Sequence, residues 1–311
     1  MALWLACAGG AAAEPLRLAH QFREAGSAGR AAADLAAAVA DGGIDIKVIP
    51  DGRLGDATAN LRQIATGELD LTIGGSLAIG YLSPEYRALL IPFLVDQPRD
   101  MLTILEGPIG QEMTAGWVEK YNLVVLGWFY SSPRIIAATR PLPDADALKG
   151  LKLRVGGADA WIDFFLRTGA QVSVRLLLDI DAAVRANMID AVDLPAEAIL
   201  NNAYGRALPH VAWTRHHYET MFIGVSASLL AGLPLDQRDL LMRQAAVAAQ
   251  RATLRDADAD ATLRARLAGN GFTVTAFDPA PLRPDVDRVA ETLSGGRGPA
   301  LVARVRAQLG R

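Results

Sequence analysis

The chain has 311 residues, of which 51% are hydrophobic and 21% charged, and its formal net charge is -3. That length exceeds what one core usually organises, so two lobes are expected with one large domain as the alternative, and the apolar content excludes a disordered chain. The slight negative charge gives no electrostatic basis for binding nucleic acid or an anionic membrane surface, so an anionic ligand must be caught by local groups.

The opening MALWLACAGGAAAEP joins a short apolar run to a tract of small residues, Ala11 to Ala13. This has the form of a secretory leader over residues 1–13, cut before Glu14, although a positively charged leading region is missing and the true start lies upstream in the alternative reading. Cys7 is the sole cysteine and falls inside this leader, so the mature chain is expected to hold no thiol. No later stretch reaches the roughly 20 continuous apolar residues of a membrane span. The expectation is an exported, soluble, periplasmic protein with no stable membrane insertion.

From Leu16 the pattern gives a strand (LRLAHQF), a helix (RAAADLAAAVAD) and a strand from Ile44 to Pro50. The turn DGRLGD follows, then a helix (ATANLRQIATGE), a strand from Leu69 to Gly75, the apolar stretch Leu89 to Val95, and a helix from Arg99 to Lys120. A strand from Asn122 to Tyr130 closes this half. A second set opens near Pro133 with a strand RIIAAT, then the strand KLRV, a helix ADAWIDFFLRTG, a strand QVSV, a helix IDAAVRANM and a strand IDAVDLP. The last third reads as helix from Asp236 to Asn270 and from Asp285 onward, interrupted by a strand from Phe272 to Phe277. Strands alternating with helices predict an α/β protein with mainly parallel sheet in each lobe. No internal repeat or flexible linker separates the halves. Several strands are therefore expected to join the lobes and form a hinge around a cleft.

One segment stands out. Leu151, Leu153 and Val155 alternate with Lys152 and Arg154, and Gly156 and Gly157 end the strand. Ligands of open α/β sheets bind beyond the carboxyl ends of the strands, and a guanidinium grips a carboxylate through two parallel hydrogen bonds, so Arg154 is the leading anion-binding candidate. A solvated arginine at a strand end is the alternative from this segment alone. By the same rule His20, Gln21, Phe22, Gly75 and Ser76 are expected to face the cleft. Trp128 and Tyr130 fit either the cleft wall or the core.

No motif of hydrolytic, nucleotide or metal chemistry is present: GxSxG, GxxxxGK[ST], a strand-following GxGxxG, HExxH and CxxC are all missing. The histidines His20, His210, His216 and His217 lack metal-ligand spacing, and the adjacent pair diverges on an extended backbone. Asp179 and Asp181, and Asp256 and Asp258, read as charges on helix flanks and surfaces. No cofactor, metal or catalytic residue is expected, and a binding protein suits the chain better than an enzyme.

The order of several segments resembles a known family, the substrate-binding proteins of tripartite ATP-independent periplasmic (TRAP) transporters. These segments are LRLAHQF, VIPDGRLGD, TGELDLTIG, LIPFLV, SPRIIAATRPL with DALKGLKLRV, RANMIDAVDLP, and LPLDQRDLLMRQAAVAAQ. The resemblance implies a two-lobed periplasmic binding protein fold with long C-terminal helices crossing between lobes. Lobe I is expected over residues 14–131 and 220–259, and lobe II over 132–219 and 260–311. It implies capture of a small organic acid and delivery to membrane permease subunits. Arg154 then matches the family's main carboxylate clamp and Arg134 its second arginine. Asp190 matches a family aspartate, whereas Ala191, Val192 and Asp193 stand where glycine, glutamine and glutamate are usual, and Asp193 is expected among the ligand-binding residues with Leu177 and Leu194. Leu194 replaces a common ligand-binding asparagine, and Leu177 an aromatic residue under the ligand. That implies a smaller or more apolar substrate end than sialic acid. His217 matches a frequent family histidine at the ligand or hinge. Rival readings are an extracytoplasmic sensor for a membrane kinase and an enzyme acting on an organic acid.

Overall fold

The computed structural model describes residues 14–175, 179–202, 204 and 207–311. The first half opens with β1 (Leu16–Ala19), α1 (Ser27–Ala40), β2 (Ile46–Ile49), α2 (Ala57–Thr66) and β3 (Leu71–Gly74). β1 pairs in parallel with β2 and with β3. Helix α2 starts where the Asp56 carboxylate accepts from Ala59 N at 2.8 Å, and stops at Gly67, whose φ of 77° suits a residue without a Cβ.

Next come α3 (Leu77–Leu82), a 3-10 segment (Pro84–Leu90), α4 (Pro98–Glu106), α5 (Pro108–Ala115) and α6 (Trp117–Tyr121). The single helix expected from Arg99 to Lys120 is thus broken twice. Gly107 leaves helical geometry and Pro108, with no N–H to give the preceding turn, restarts the chain as the first residue of α5.

The second surprise is β4 (Leu123–Ala138), 16 residues of one strand where the sequence suggests two. After it follow β5 (Lys152–Val155), α7 (Asp159–Arg167), β6 (Gln171–Val174), α8 (Ile180–Arg185), β7 (Ala191–Pro195), α9 (Ala196–Asn201) and β8 (His210–Ser226). The chain ends with α10 (Ala227–Gly232), the 35-residue α11 (Leu235–Gly269), β9 (Thr273–Ala276), α12 (Asp285–Thr292) and α13 (Gly298–Gln308).

The strands form one sheet in the order β2-β1-β3-β8-β4-β7-β5-β6, with β9 beside β8. Its two ends are parallel, as expected. Its centre is antiparallel, because β8 and β4 run against each other and against β3 and β7. These two long strands join the halves, and their register slips between Tyr130 and Ser132 and again between Arg134 and Ile136. At the second slip β8 bulges, with Arg215 held at φ 47°. Bulges re-aim side chains and bend a strand, and these lie midway along the two strands that join the halves.

Alternation along β4 sorts the core. Tyr130, Ile136 and Ala138 enter a large cluster with Phe93, Trp117, Phe164 and Val305. On the other face, Phe129 joins a cluster with Leu35, Ile223 and Leu241, whereas Ile135 and Ala137 join a separate one with Val192, Ile199 and Leu263. Helix α11, about 52 Å long at 1.5 Å per residue, spans both of these. Its Leu241, Ala245 and Ala249 pack in the first and its Leu263 and Leu267 in the second.

Between those apolar stretches sits Asp256. Expected as a surface charge, it is 3% exposed, accepts from the Ser27 hydroxyl, and takes Arg30 at 3.1 Å. It is a polar spacer where the long helix passes from one core to the other. Asp260, one turn on, accepts from the Tyr130 hydroxyl, and burial pushes its carboxyl up to about 6. Among the described residues no helix is long and apolar enough to cross a membrane.

Candidate functional site

Arg154 lies at the carboxyl end of β5 and is 5% exposed. Its Nε and Nη2 donate to the Arg175 carbonyl at 2.9 and 2.6 Å, and it makes no ion pair among the described residues. Burial pulls its guanidinium down to about 10, with the charge of Arg134 adding to the effect and Asp193 opposing it. A buried cation whose charge has no direct partner is costly, and an anion delivered to it removes that cost. The surface reading of Arg154 is therefore wrong.

Arg134, on β4, is also buried, but its charge is spent. Nε and Nη2 hold Asp193 at 3.0 and 2.9 Å, and Nη1 holds Glu219 at 2.8 Å. The guanidinium carbon stacks 3.9 Å from the Trp161 ring centroid. Asp193, on β7, is fully buried and takes a further bond from His216 Nε2 at 2.9 Å, whose Nδ1 meets Thr214 at 2.7 Å. Burial pushes the Asp193 carboxyl up, but Arg134 and His216 outweigh it and hold it well below the usual carboxylate range. Asp193 is thereby a holder of Arg134.

The adjacent histidines diverge, as an extended backbone requires. His216 turns to Asp193 and packs edge-on to Phe165, while His217 meets the Ser76 hydroxyl at 3.3 Å and the edge of Trp161. Ser76, just after β3, also gives its N–H to Glu219 at 2.9 Å. Gly75 beside it admits close packing: a Cβ there would lie 3.1 Å from the Phe22 ring and 2.8 Å from Glu219. Strand ends of the first half thus meet the Arg134 group of the second.

Not every expected residue joins them. Gln21 is tied to the start of α2, its side-chain carbonyl accepting from Ala57 N at 3.2 Å. Trp128 packs in the core with Trp117 and Phe222. Leu194 is 2% exposed inside the apolar cluster of β7, α9 and α11. Leu177 lies outside the described residues. Sequence alone does not single out Glu219, His216 or Trp161 as members of the site. Glu219 does carry a signal, because a strand repeats every two residues and places it on the face of His217.

His20 and His217 are buried with no ion pair among the described residues, and burial lowers them to about 4 and about 3, outweighing the pull of Asp51 on His20 and of Asp193 on His217. Both stay neutral in the fold yet take a proton in the unfolded chain below pH 6.5, so stability falls as pH drops from 6.5 toward those values. At pH 5 each costs about 2 kcal/mol. Asp260 opposes them, since its raised carboxyl binds a proton in the fold first. Urea unfolding should show a lower midpoint at pH 5 than at pH 7, and H217Q should shrink that difference; equal midpoints in the parent protein would contradict the assignment.

A cavity of about 640 Å³ opens elsewhere, between the 3-10 segment and α7, lined by Glu85, Arg87, Asp159, Asp163 and Thr292. Arg87 already pairs with Asp159 at 2.8 Å, and Asp163 with Thr292. Its arginine is matched, unlike Arg154, so Arg154 marks the better site for an anion.

Residues 18–293 match the DctP family, bacterial extracellular solute-binding protein family 7. The chain belongs to that family. Family 7 membership agrees with the two-lobed fold, and the solute-binding role follows from it. The chain is 24% identical over 275 residues to the sialic acid-binding periplasmic protein of Vibrio cholerae, covering 88% of this chain and 86% of that one. It is 25% identical to the 2,3-diketo-L-gulonate-binding periplasmic protein of Escherichia coli, over 75% and 72% of the two chains. The crystal structure of the sugar acid-binding protein of Advenella mimigardefordensis with galactonate superposes with a TM-score of 0.88 at 22% identity, covering 95% of this chain and 97% of that one. A Bordetella TRAP solute-binding protein, whose ligand density is assigned to pantoate, gives 0.87 at 22% identity, over 94% and 99%.

Proposed function

We propose that this family 7 protein is a periplasmic receptor that closes on a small organic acid, anchors its carboxylate on Arg154, and hands it to the membrane subunits of a TRAP transporter without chemical change. The observation that carries this reading is the charge of Arg154, buried at the carboxyl end of β5 with no acid paired to it among the described residues. The names of the relatives point the same way, since sialic acid, galactonate and pantoate are all carboxylates. Arg134 acts one step back. Its bonds to Asp193 and Glu219 hold it beside Trp161, and its positive charge adds to the field around Arg154 without gripping the ligand itself.

The lobes divide near 131 and 219, where β4 and β8 slip register and Ser132 faces Glu219. Arg23 meets Asn202 at 3.3 Å and Arg30 meets Glu197 at 2.8 Å, contacts between the start of the chain and the α9 region that join the two sides of that division. A thermal-shift screen of carboxylates against their neutral amides tests the proposal. At 100 times its dissociation constant an acid should stabilise the protein by about 2.7 kcal/mol. Equal shifts from acid and amide would refute it.

A further inference from the structure

We propose that Arg175 is a second anion contact beside Arg154, so that the ligand is a dianion with one carboxylate on Arg154 and a second acidic group, carboxylate or phosphate, on Arg175. This rests on the reading of Arg154 given above. Strands β5 and β6 are parallel, with Arg154 opposite Ser173. Directly opposed side chains of paired strands share a face, which puts Ser173 beside Arg154, and Arg175 follows the last residue of β6. The bonds from Arg154 to the Arg175 carbonyl fix the two residues as neighbours at the strand ends.

Neither guanidinium has an ion pair among the described residues. Arg175 Nε is buried with no hydrogen-bond partner, and so is the Ser173 hydroxyl. Such groups are costly to leave unmet, and adjacent like charges repel. Three arginines elsewhere are matched, each by two acids: Arg30 by Glu197 and Asp256, Arg134 by Asp193 and Glu219, Arg311 by Asp96 and Asp100. Asp193, the acid whose charge most supports Arg154, is already held by Arg134 and His216. In a chain of net charge -3 this leaves a local positive spot with a neutral donor, Ser173, beside it. A monocarboxylate matches one guanidinium and leaves the other bare. A dianion matches both.

Calorimetric titration of the full-length mature protein tests this with three pairs: succinate and butyrate, glutarate and pentanoate, 3-phosphoglycerate and glycerate. The parent should bind at least one dianion ten or more times tighter than its monoanionic counterpart, and the pair that shows it identifies the second group as carboxylate or phosphate. In R175Q that preference should fall at least tenfold while monoanion affinity stays within threefold, and R175K should retain part of it. A preference unchanged in R175Q, or a parent protein that favours the monoanion throughout, overturns the role of Arg175 alone. No binding of any acid by the parent overturns the role of Arg154 and this inference with it.

Discussion

D193N should lower the unfolding free energy by about 3–5 kcal/mol at pH 7, the usual cost of breaking one side of a buried ion pair. The Asp193 carboxylate is 0% exposed and receives Arg134 through two nitrogens and His216 through a third. An amide of the same shape turns an N–H2 toward one of those donors and leaves the guanidinium with Glu219 as its remaining acid. Paired removal is less than additive: in R134M/D193L the Arg134–Asp193 pair leaves together while Glu219 loses its guanidinium, and the loss should be smaller than the sum of the single changes. Urea unfolding of the single and double variants reads this directly. A loss under about 1 kcal/mol in D193N would mean that the network is not what holds β4 to β7.

R154A should weaken binding of the acid selected by the screen at least 100-fold with little change in unfolding midpoint. The two effects separate because Arg154 contributes little to the unliganded fold: its bonds go to one backbone carbonyl, and its desolvated charge opposes folding. Charge-assisted contacts of a desolvated arginine are among the stronger single interactions, and their loss falls mainly on the dissociation rate. Arg134, by contrast, is expected to trade stability for little specificity when replaced.

Much of this was legible in the residues. The alternation LKLRV followed by paired glycines marked Arg154 because strand period and glycine punctuation are local signals. The helices and short parallel strands followed the same local rules. What failed was whatever depended on partners far away in the chain. Pro133 suggested a break between strands, yet it sits inside β4 opposite Tyr218, next to a register slip where a missing N–H does little harm. Arg134 was visible as a cation at a strand, but Asp193 and Glu219, 59 and 85 residues away, decide that it is saturated. Asp256 looked like a surface charge because nothing local reveals that α1 covers it with Ser27 and Arg30. Arg175 carried no periodic signal until β6 was set beside β5.

The most direct measurement is a crystal structure of the protein with the acid that the screen selects. Of the five N–H donors of a guanidinium, Arg154 uses Nε and one on Nη2 for the Arg175 carbonyl, which leaves its Nη1 and Nη2 end open. The account predicts a carboxylate there, with its two oxygens about 2.7–2.9 Å from Nη1 and Nη2. A bound acid whose carboxylate lies elsewhere, with Arg154 still bonded to nothing but the Arg175 carbonyl, would contradict it.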